Sequence, residues 1–211
     1  MNSIGIFGTS GFAREVGDIA WALGYTPVYI ARDEDELMTG RACGEALLES
    51  ELNRLKDTAF VIGIGENLTR QKIAQRYADK LNFINLLHPS ASFGQQQREI
   101  IERSRGNIVC AGVRFTNNIQ VGNFSIFNLN ATIGHDCVIE DFANIAPGAN
   151  ISGNVHIGAR CWIGTGAVIN QGADGAKLSI GGGTTVGSGS VVVKSCDQDA
   201  VYVGIPAKRI K

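Results

Sequence analysis

Residues 127–151 read FNLNATIGHDCVIEDFANIAPGANI, with a bulky apolar residue at every sixth position: Phe127, Ile133, Ile139, Ile145 and Ile151. The step of six runs back through Val121 and Phe115 to Val109 and forward through Ile157 and Ile163 to Ile169 without a break. Four residues after each member comes a mostly small one: Val113, Ile119, Ser125, Ala131, Cys137, Ala143, Ala149, Val155, Cys161, Ala167 and Ala173. After an irregular stretch around residues 171–178 the pattern resumes in a new register at Ile180, Val186 and Val192, with Thr184, Ser190 and Cys196 at the same offset. A helix period of 3.6 or a simple alternation cannot produce this ladder, whereas stacked coils of short parallel strands do, each coil burying one aliphatic side chain per face. Three hexads make one triangular coil, so the second half of the chain is expected to be a parallel β-helix.

The first half follows a different pattern. Residues 3–8 form an apolar strand that runs into Gly8-Thr-Ser10-Gly11-Phe12 and an amphipathic stretch to about Leu23, where Gly24 can cap a helix. A second strand at 28–30 ends at Arg32-Asp33, and a third at 59–64 leads into Gly65 and a helix over about 68–80. The apolar stretch 83–87 closes this part, and the polar segment 95–105 reads as a mobile connection. Alternating strands and helices imply a small parallel sheet with a ligand crevice at the carboxyl ends of its strands. The division expected is 1–90 for a Rossmann-like α/β domain and 91–211 for the β-helix. Gly8-x-x-Gly11 lacks the full dinucleotide-binding spacing, so this is not read as a dehydrogenase. Either Ser10, Gly11, Phe12, Arg32, Asp33 and Gly65 line a sugar-nucleotide pocket, or the glycines only permit tight turns.

Composition narrows the partners. With 19 basic and 20 acidic residues and a net charge of -1, no single-sign patch calls for nucleic acid or an anionic membrane surface. No stretch is long and apolar enough to insert in a membrane, and Met1 leads into the first strand without a basic targeting region, so a cytoplasmic location is expected. The five cysteines lack CxxC spacing, which argues for reduced thiols and for no metal site. Glycine is the compositional anomaly, with 27 residues against 4 prolines, as a fold of many tight turns requires.

Of the three histidines, His88 is expected to have a local capping or packing role in Leu87-His88-Pro89-Ser90, and His156 to be a solvated or interface side chain. His135 stands two residues after Ile133, a phase that points away from the interior. An imidazole suits the removal of a proton from an amine or hydroxyl as it attacks a thioester, and Asp136 can orient it. Positioning supplies the rest, and no serine or cysteine nucleophile is needed.

The chain resembles the bacterial sugar O- and N-acyltransferases with hexapeptide repeats, typified by the sialic acid O-acetyltransferases and the amino-sugar acetyltransferase of the bacillosamine pathway. The likeness rests on Gly8-Thr-Ser-Gly-Phe-Ala-Arg-Glu-Val16, Ile64-Gly-Glu-Asn67, His88-Pro-Ser-Ala91, Gly134-His-Asp136, Ala146-Pro-Gly-Ala149 and Val203-Gly-Ile-Pro-Ala-Lys-Arg-Ile210. The resemblance implies a left-handed β-helix and a homotrimer with intersubunit active sites. It also implies acetyl-CoA as acyl donor and a sugar nucleotide as acceptor, with His135 as general base supported by Asp136. By the same resemblance Gly153, Thr165 and Ser188 contact the pantetheine arm, and residues 206–210 lie near the nucleotide end of CoA. Two departures stand out: Phe12 and Asn144 occupy positions where the amino-sugar enzymes carry histidines. The Asn144 amide can still donate to the thioester oxygen, which keeps it among the donor-binding candidates. The leading expectation is acetyl transfer to the amine of a nucleotide-linked 4-amino-4,6-dideoxysugar. The alternatives are O-acetylation of a sialic acid or polysaccharide precursor, and a β-helix that binds sugar nucleotides without transferring anything.

Overall fold

The computed structural model describes residues 2–211. Among them the chain forms a parallel sheet joined to a left-handed parallel β-helix. The sheet has the order β3-β2-β1-β4-β5, built from β1 (Ser3–Phe7), β2 (Thr26–Ala31), β3 (Glu45–Leu48), β4 (Ala59–Ile62) and β5 (Asn82–Phe83). Helix α1 (Gly11–Ala22) buries Ala13, Val16, Ile19 and Ala20 at helical spacing and stops at Gly24, whose φ of 81° suits a residue without Cβ. Helix α2 (Glu34–Arg41) is capped by Asp33, which accepts from the Glu36 amide, and α3 (Asn67–Tyr77) by Glu66, which accepts from the Leu68 and Thr69 amides. The chain reverses its winding between β1 and β4, and this puts the crevice of the sheet beyond their carboxyl ends.

The expected closing strand at 83–87 divides between the two units. Phe83 pairs with β4, whereas Leu86–Leu87 hydrogen-bonds to Ile108–Val109 in the β-helix, on the N-terminal side of the division placed at residue 90. The segment 95–105 is not a mobile connection. It holds α4 (Gln97–Glu102), and the fully buried Gln97 side chain both donates to the Ile119 carbonyl at 2.7 Å and accepts from the Ile119 amide at 2.8 Å. One amide side chain thus substitutes for a missing strand at the first coil, a function that a polar composition conceals.

The β-helix has three faces. The first carries the strands at 108–109, 126–127, 144–145, 162–163 and 185–186, the second those at 114–115, 132–133, 150–151, 168–169 and 191–192, and the third those at 120–121, 138–139, 155–157 and 178–180. The six-residue aliphatic series is buried apart from the half-buried Val121, and the small series fills the interior as far as Ala167. Ala173 is the exception. It lies exposed in a hairpin over 171–177 that interrupts the stack. The turns follow a second rule of six: eleven consecutive corner residues, Gly106, Gly112, Asn118, Phe124, Asn130, Asp136, Phe142, Gly148, Asn154, Arg160 and Gly166, all have positive φ. Such corners favour Gly, Asn and Asp, so Phe124, Phe142 and Arg160 require an external reason.

That reason is the docked first domain. Phe124 and Phe142 stack at 5.4 Å and 4° on the edge between the third and first faces, and Phe83 meets Phe124 edge-on at 5.3 Å. Burying such a ring contributes about 1.5–3 kcal/mol, enough to offset a backbone strain of about 1–3 kcal/mol. Beside them the fully buried Arg70 of α3 donates from Nε to the Phe124 carbonyl at 2.7 Å and from Nη2 to the Phe142 carbonyl at 2.8 Å. Its Nη1 reaches the Ile64 and Gly65 carbonyls at 3.0 and 2.9 Å, and Asn67 Nδ2 takes the Arg160 carbonyl at 2.8 Å. Burial pushes the Arg70 guanidinium down to about 9, so it remains a cation at neutral pH, ringed by acceptors that favour the charged form.

Candidate functional site

His135 projects from the edge between the second and third faces, directly after the strand Thr132–Ile133. Its Nδ1 lies 2.7 Å from Asp136 Oδ2, and Asn118 Nδ2 donates to Asp136 Oδ1 at 2.5 Å. The Asp136 carboxyl is held below the usual carboxylate range, first by the His135 bond and then by the Asn118 bond. A carboxylate at Nδ1 favours the tautomer with its proton there, leaving the Nε2 lone pair to act as a base. The two side chains are 51% and 46% exposed, so the pair is open to a substrate.

Gly153, one coil further along the same edge, defines the floor. A Cβ placed on it would lie 2.4 Å from His135 Nε2, 2.6 Å from Cε1 and 2.9 Å from Cδ2. Nearly equal distances to the three atoms put that Cβ over the ring plane, away from the in-plane Nε2 lone pair. Glycine at this position therefore lets the imidazole lie flat while its reactive nitrogen stays clear. Thr165 and Ser188 are exposed and stack on the next edge, between the first and second faces, where the Gly189 amide donates to the Thr165 carbonyl at 2.9 Å. Asn144 is on the first face, 4% exposed, and its Nδ2 donates to the Gly65 carbonyl at 3.0 Å. The donor-binding candidates are thus spread over two edges and one face of a single prism. The C-terminal strand Lys208–Arg209 pairs with Val201–Val203 at the far end of that face.

In the first domain a cleft of about 180 Å³ opens at the carboxyl ends of β1, β2 and β4. Of the residues expected to bind the acceptor, Arg32 lines it; Thr69, Lys72 and Arg76 from α3 line the opposite wall. Ser10 and Gly11 lie exposed on the turn into α1, and Phe12 packs against the core. Asp33 is engaged by its helix cap and by Arg32 Nε at 2.9 Å, while the Gly65 carbonyl is shared by Arg70 and Asn144. The α3 contribution was not anticipated from sequence. Its signal is the spacing of Thr69, Lys72 and Arg76, three and four residues apart and hence on one helical face.

Of the other histidines, His88 takes a local capping role, whereas His156, expected as a solvated or interface side chain, is half-buried and ion-paired. His88 Nδ1 accepts from the Ser90 amide at 3.0 Å, and His156 Nε2 pairs with Glu140 Oε1 at 2.8 Å. All five cysteines are free. Among the described residues no group of His, Cys, Asp or Glu side chains is gathered to hold a metal, and no helix is long and apolar enough to cross a membrane.

Residues 3–77 match the model of the PglD N-terminal domain family. The whole chain aligns with the GDP-perosamine N-acetyltransferase of Escherichia coli O157:H7, 29% identical over 223 residues and covering 97% of that protein. In structure it is similar to a histidine-to-asparagine mutant of perosamine N-acetyltransferase from Caulobacter crescentus, solved in complex with CoA and GDP-perosamine. The TM-score is 0.87 at 25% identity, with 100% of this chain and 98% of that one covered. The acetyltransferase domain of PglB from Neisseria gonorrhoeae, solved in complex with acetyl coenzyme A, gives a TM-score of 0.84 at 25% identity, with both chains covered completely.

Proposed function

We propose that this chain, which resembles the hexapeptide-repeat sugar O- and N-acyltransferases from end to end, transfers an acetyl group from acetyl-CoA to the amine of a nucleotide-linked amino sugar. The observation that carries the chemistry is the His135–Asp136 pair, with Nδ1 held by the carboxylate and Nε2 free above Gly153. The sugar amine attacks the thioester carbonyl, and as the C–N bond forms Nε2 accepts the amine proton. The tetrahedral intermediate collapses with cleavage of the C–S bond, and the imidazolium returns its proton to the departing CoA thiolate. A base of this kind contributes about 10²- to 10⁴-fold, and alignment of the two substrates provides much of the remainder.

The assembly belongs to the same reading. Gly65, next in sequence to Ile64 of the cleft lining, is tied to Asn144 on the first face, whereas His135 occupies the edge opposite that face. One protomer therefore holds its cleft and its base on opposite sides of a prism. This supports a homotrimer in which His135 and Gly153 of one chain meet the cleft, Asn144, Thr165 and Ser188 of the next, with acetyl-CoA between the prisms. Asn144 keeps a second Nδ2 proton for the thioester oxygen. Arg32, Lys72 and Arg76 are the cations offered to the diphosphate, Arg32 and Arg76 being shared with the carboxylates Glu36 and Glu49 of the same lining, and Ser10 and Gly11 are exposed on the turn into α1. Its place is the cytoplasm, consistent with five unpaired thiols.

The test is thiol release on mixing purified protein, acetyl-CoA and GDP-, UDP- or dTDP-linked 4-amino-4,6-dideoxysugars, with the product identified by mass spectrometry. An amide product that disappears with His135→Ala supports the reading. A hydroxylamine-labile ester would move the acceptor to a hydroxyl, and lack of CoA binding by calorimetry would favour a non-enzymatic sugar-nucleotide binder.

A further inference from the structure

The hairpin 171–177, where the six-residue repeat breaks, lies on the same edge as His135. Gly172 donates its amide to the Gly153 carbonyl at 3.1 Å, stacking the hairpin directly on the glycine that floors the imidazole. The Asn154 side chain moors both arms, with Nδ2 donating to the Ala173 carbonyl at 2.8 Å and Oδ1 accepting from Lys177 Nζ at 3.0 Å. Lys177 Nζ also donates to the backbone carbonyl of Asp136.

That second bond matters because of how the corners are built. A corner residue with positive φ can turn its carbonyl out of the strand ladder, where a side-chain donor can meet it. On the edge facing the first domain Phe124, Phe142 and Arg160 have theirs taken by Arg70 and Asn67, and on another edge Gly148 has its own taken by Asn150 Nδ2 at 2.7 Å. At Asp136, φ 60°, the donor is Lys177, forty-one residues later in sequence. An ammonium at this carbonyl fixes the peptide that carries the carboxylate and leaves the carboxylate itself to His135 and Asn118.

We infer that Lys177 is a positioning residue for the catalytic pair: by holding the Asp136 carbonyl from the hairpin, it sets the carboxylate that fixes the His135 tautomer. The inference rests on His135 being the base. Lys177 acts through Asp136, so its removal lowers kcat and leaves the KM for both substrates in place, and arginine, which can also donate to a carbonyl, restores the rate.

The experiment pairs kinetics with histidine-selective 15N NMR on the full-length protein. In Lys177→Met the expected kcat is about tenfold lower at unchanged KM, the loss of one charge-assisted hydrogen bond. Lys177→Arg returns kcat to within about threefold of the parent. The Nδ1–H tautomer of His135 is expected to dominate in the parent and in Lys177→Arg and to lose population in Lys177→Met. Combined with Asp136→Asn, the Met substitution adds nothing further, because both changes break one relay. An unchanged tautomer in Lys177→Met, an effect on KM alone, or full additivity with Asp136→Asn would overturn the inference. The NMR arm needs no turnover. A Lys177-dependent tautomer in a protein that acetylates no sugar would refute the proposed function and the catalytic meaning of the relay, leaving only the coupling of Lys177 to His135 through Asp136; a Lys177-independent tautomer in an active enzyme would refute this inference alone.

Discussion

Gly153 lies beneath the face of the His135 imidazole with room for a hydrogen and not for a carbon, since a Cβ would approach Nε2 to 2.4 Å. The residue expected to touch the pantetheine arm thus has an independent duty toward the base. Gly153→Ala must tilt or shift the ring, and a displacement of about 1 Å at a reacting atom costs roughly 100-fold in rate. The expected outcome is a kcat lower by about that factor, with calorimetric binding of CoA within a few-fold of the parent. A fully active Gly153→Ala enzyme would show that the ring does not work from this position.

Asp136 serves both a corner and the hydrogen bond to His135 Nδ1, and the two duties can be separated. Asn118 and Asn154 occupy the equivalent corner one coil away on either side with φ of 56° and 57°, so Asp136→Asn preserves the turn. Its amide can donate to Nδ1 and favour the wrong tautomer, so kcat is expected to fall by about 10²- to 10⁴-fold while the thermal midpoint stays put. The pH dependence has a definite sign. The parent carboxyl is depressed by bonds from His135 and Asn118, so its contribution is complete above the ordinary carboxylate value and disappears as pH falls through the depressed one. The His135–Asp136 bond should survive to lower pH than an ordinary carboxylate would allow, which carboxyl-detected NMR titration can follow.

The β-helix was legible because its core repeats: one aliphatic residue every six positions leaves a signal that no other fold imitates. The corners repeat equally strictly, yet Phe124, Phe142 and Arg160 disguise the Gly/Asn/Asp pattern on the edge that the first domain covers. The outward position of His135 was readable from its phase in a regular coil, and its bond to Asp136 from their adjacency. Arg70 and Lys177 were not, because each acts on backbone carbonyls remote in sequence, and a carbonyl acceptor leaves no mark in the amino-acid string. The α3 wall of the first-domain cleft was missed for a related reason, since an exposed Lys or Arg on a helix reads as solvated until the sheet beside it is in place.

Arg70 joins the domains through acceptors that nothing else can satisfy. Arg70→Met leaves the Phe124 and Phe142 carbonyls and the Asn67 Oδ1 without their donor in a buried setting. Each unmet group costs about 1–3 kcal/mol, so a destabilisation of about 3–5 kcal/mol is expected in urea unfolding. Asn144→Ala removes one neutral bond to Gly65 and should cost about 1 kcal/mol. A smaller loss for Arg70→Met than for Asn144→Ala would show that the aromatic stack alone holds the domains together.

The geometry of the prism makes a sharper prediction about assembly. His135 occupies the edge opposite the face to which the first domain's Gly65 turn is tied, so a cleft defect and a base defect carried on different chains should complement each other. Arg32→Ala combined with Lys72→Ala removes cleft cations, and His135→Ala removes the base; each protein alone is expected to be nearly inactive. In a trimer formed by random mixing of equal amounts, a working site needs a cleft-defective chain to supply His135 and a base-defective neighbour to supply the cleft. Those independent chances of one half leave about a quarter of sites restored. Recovery near that fraction on co-expression, measured per subunit as thiol release, is the expected result. If the mixture stays as inactive as its parents, cleft and base belong to the same chain, and the chain must bring them together by a motion of the first domain that breaks the Arg70 and Asn144 ties.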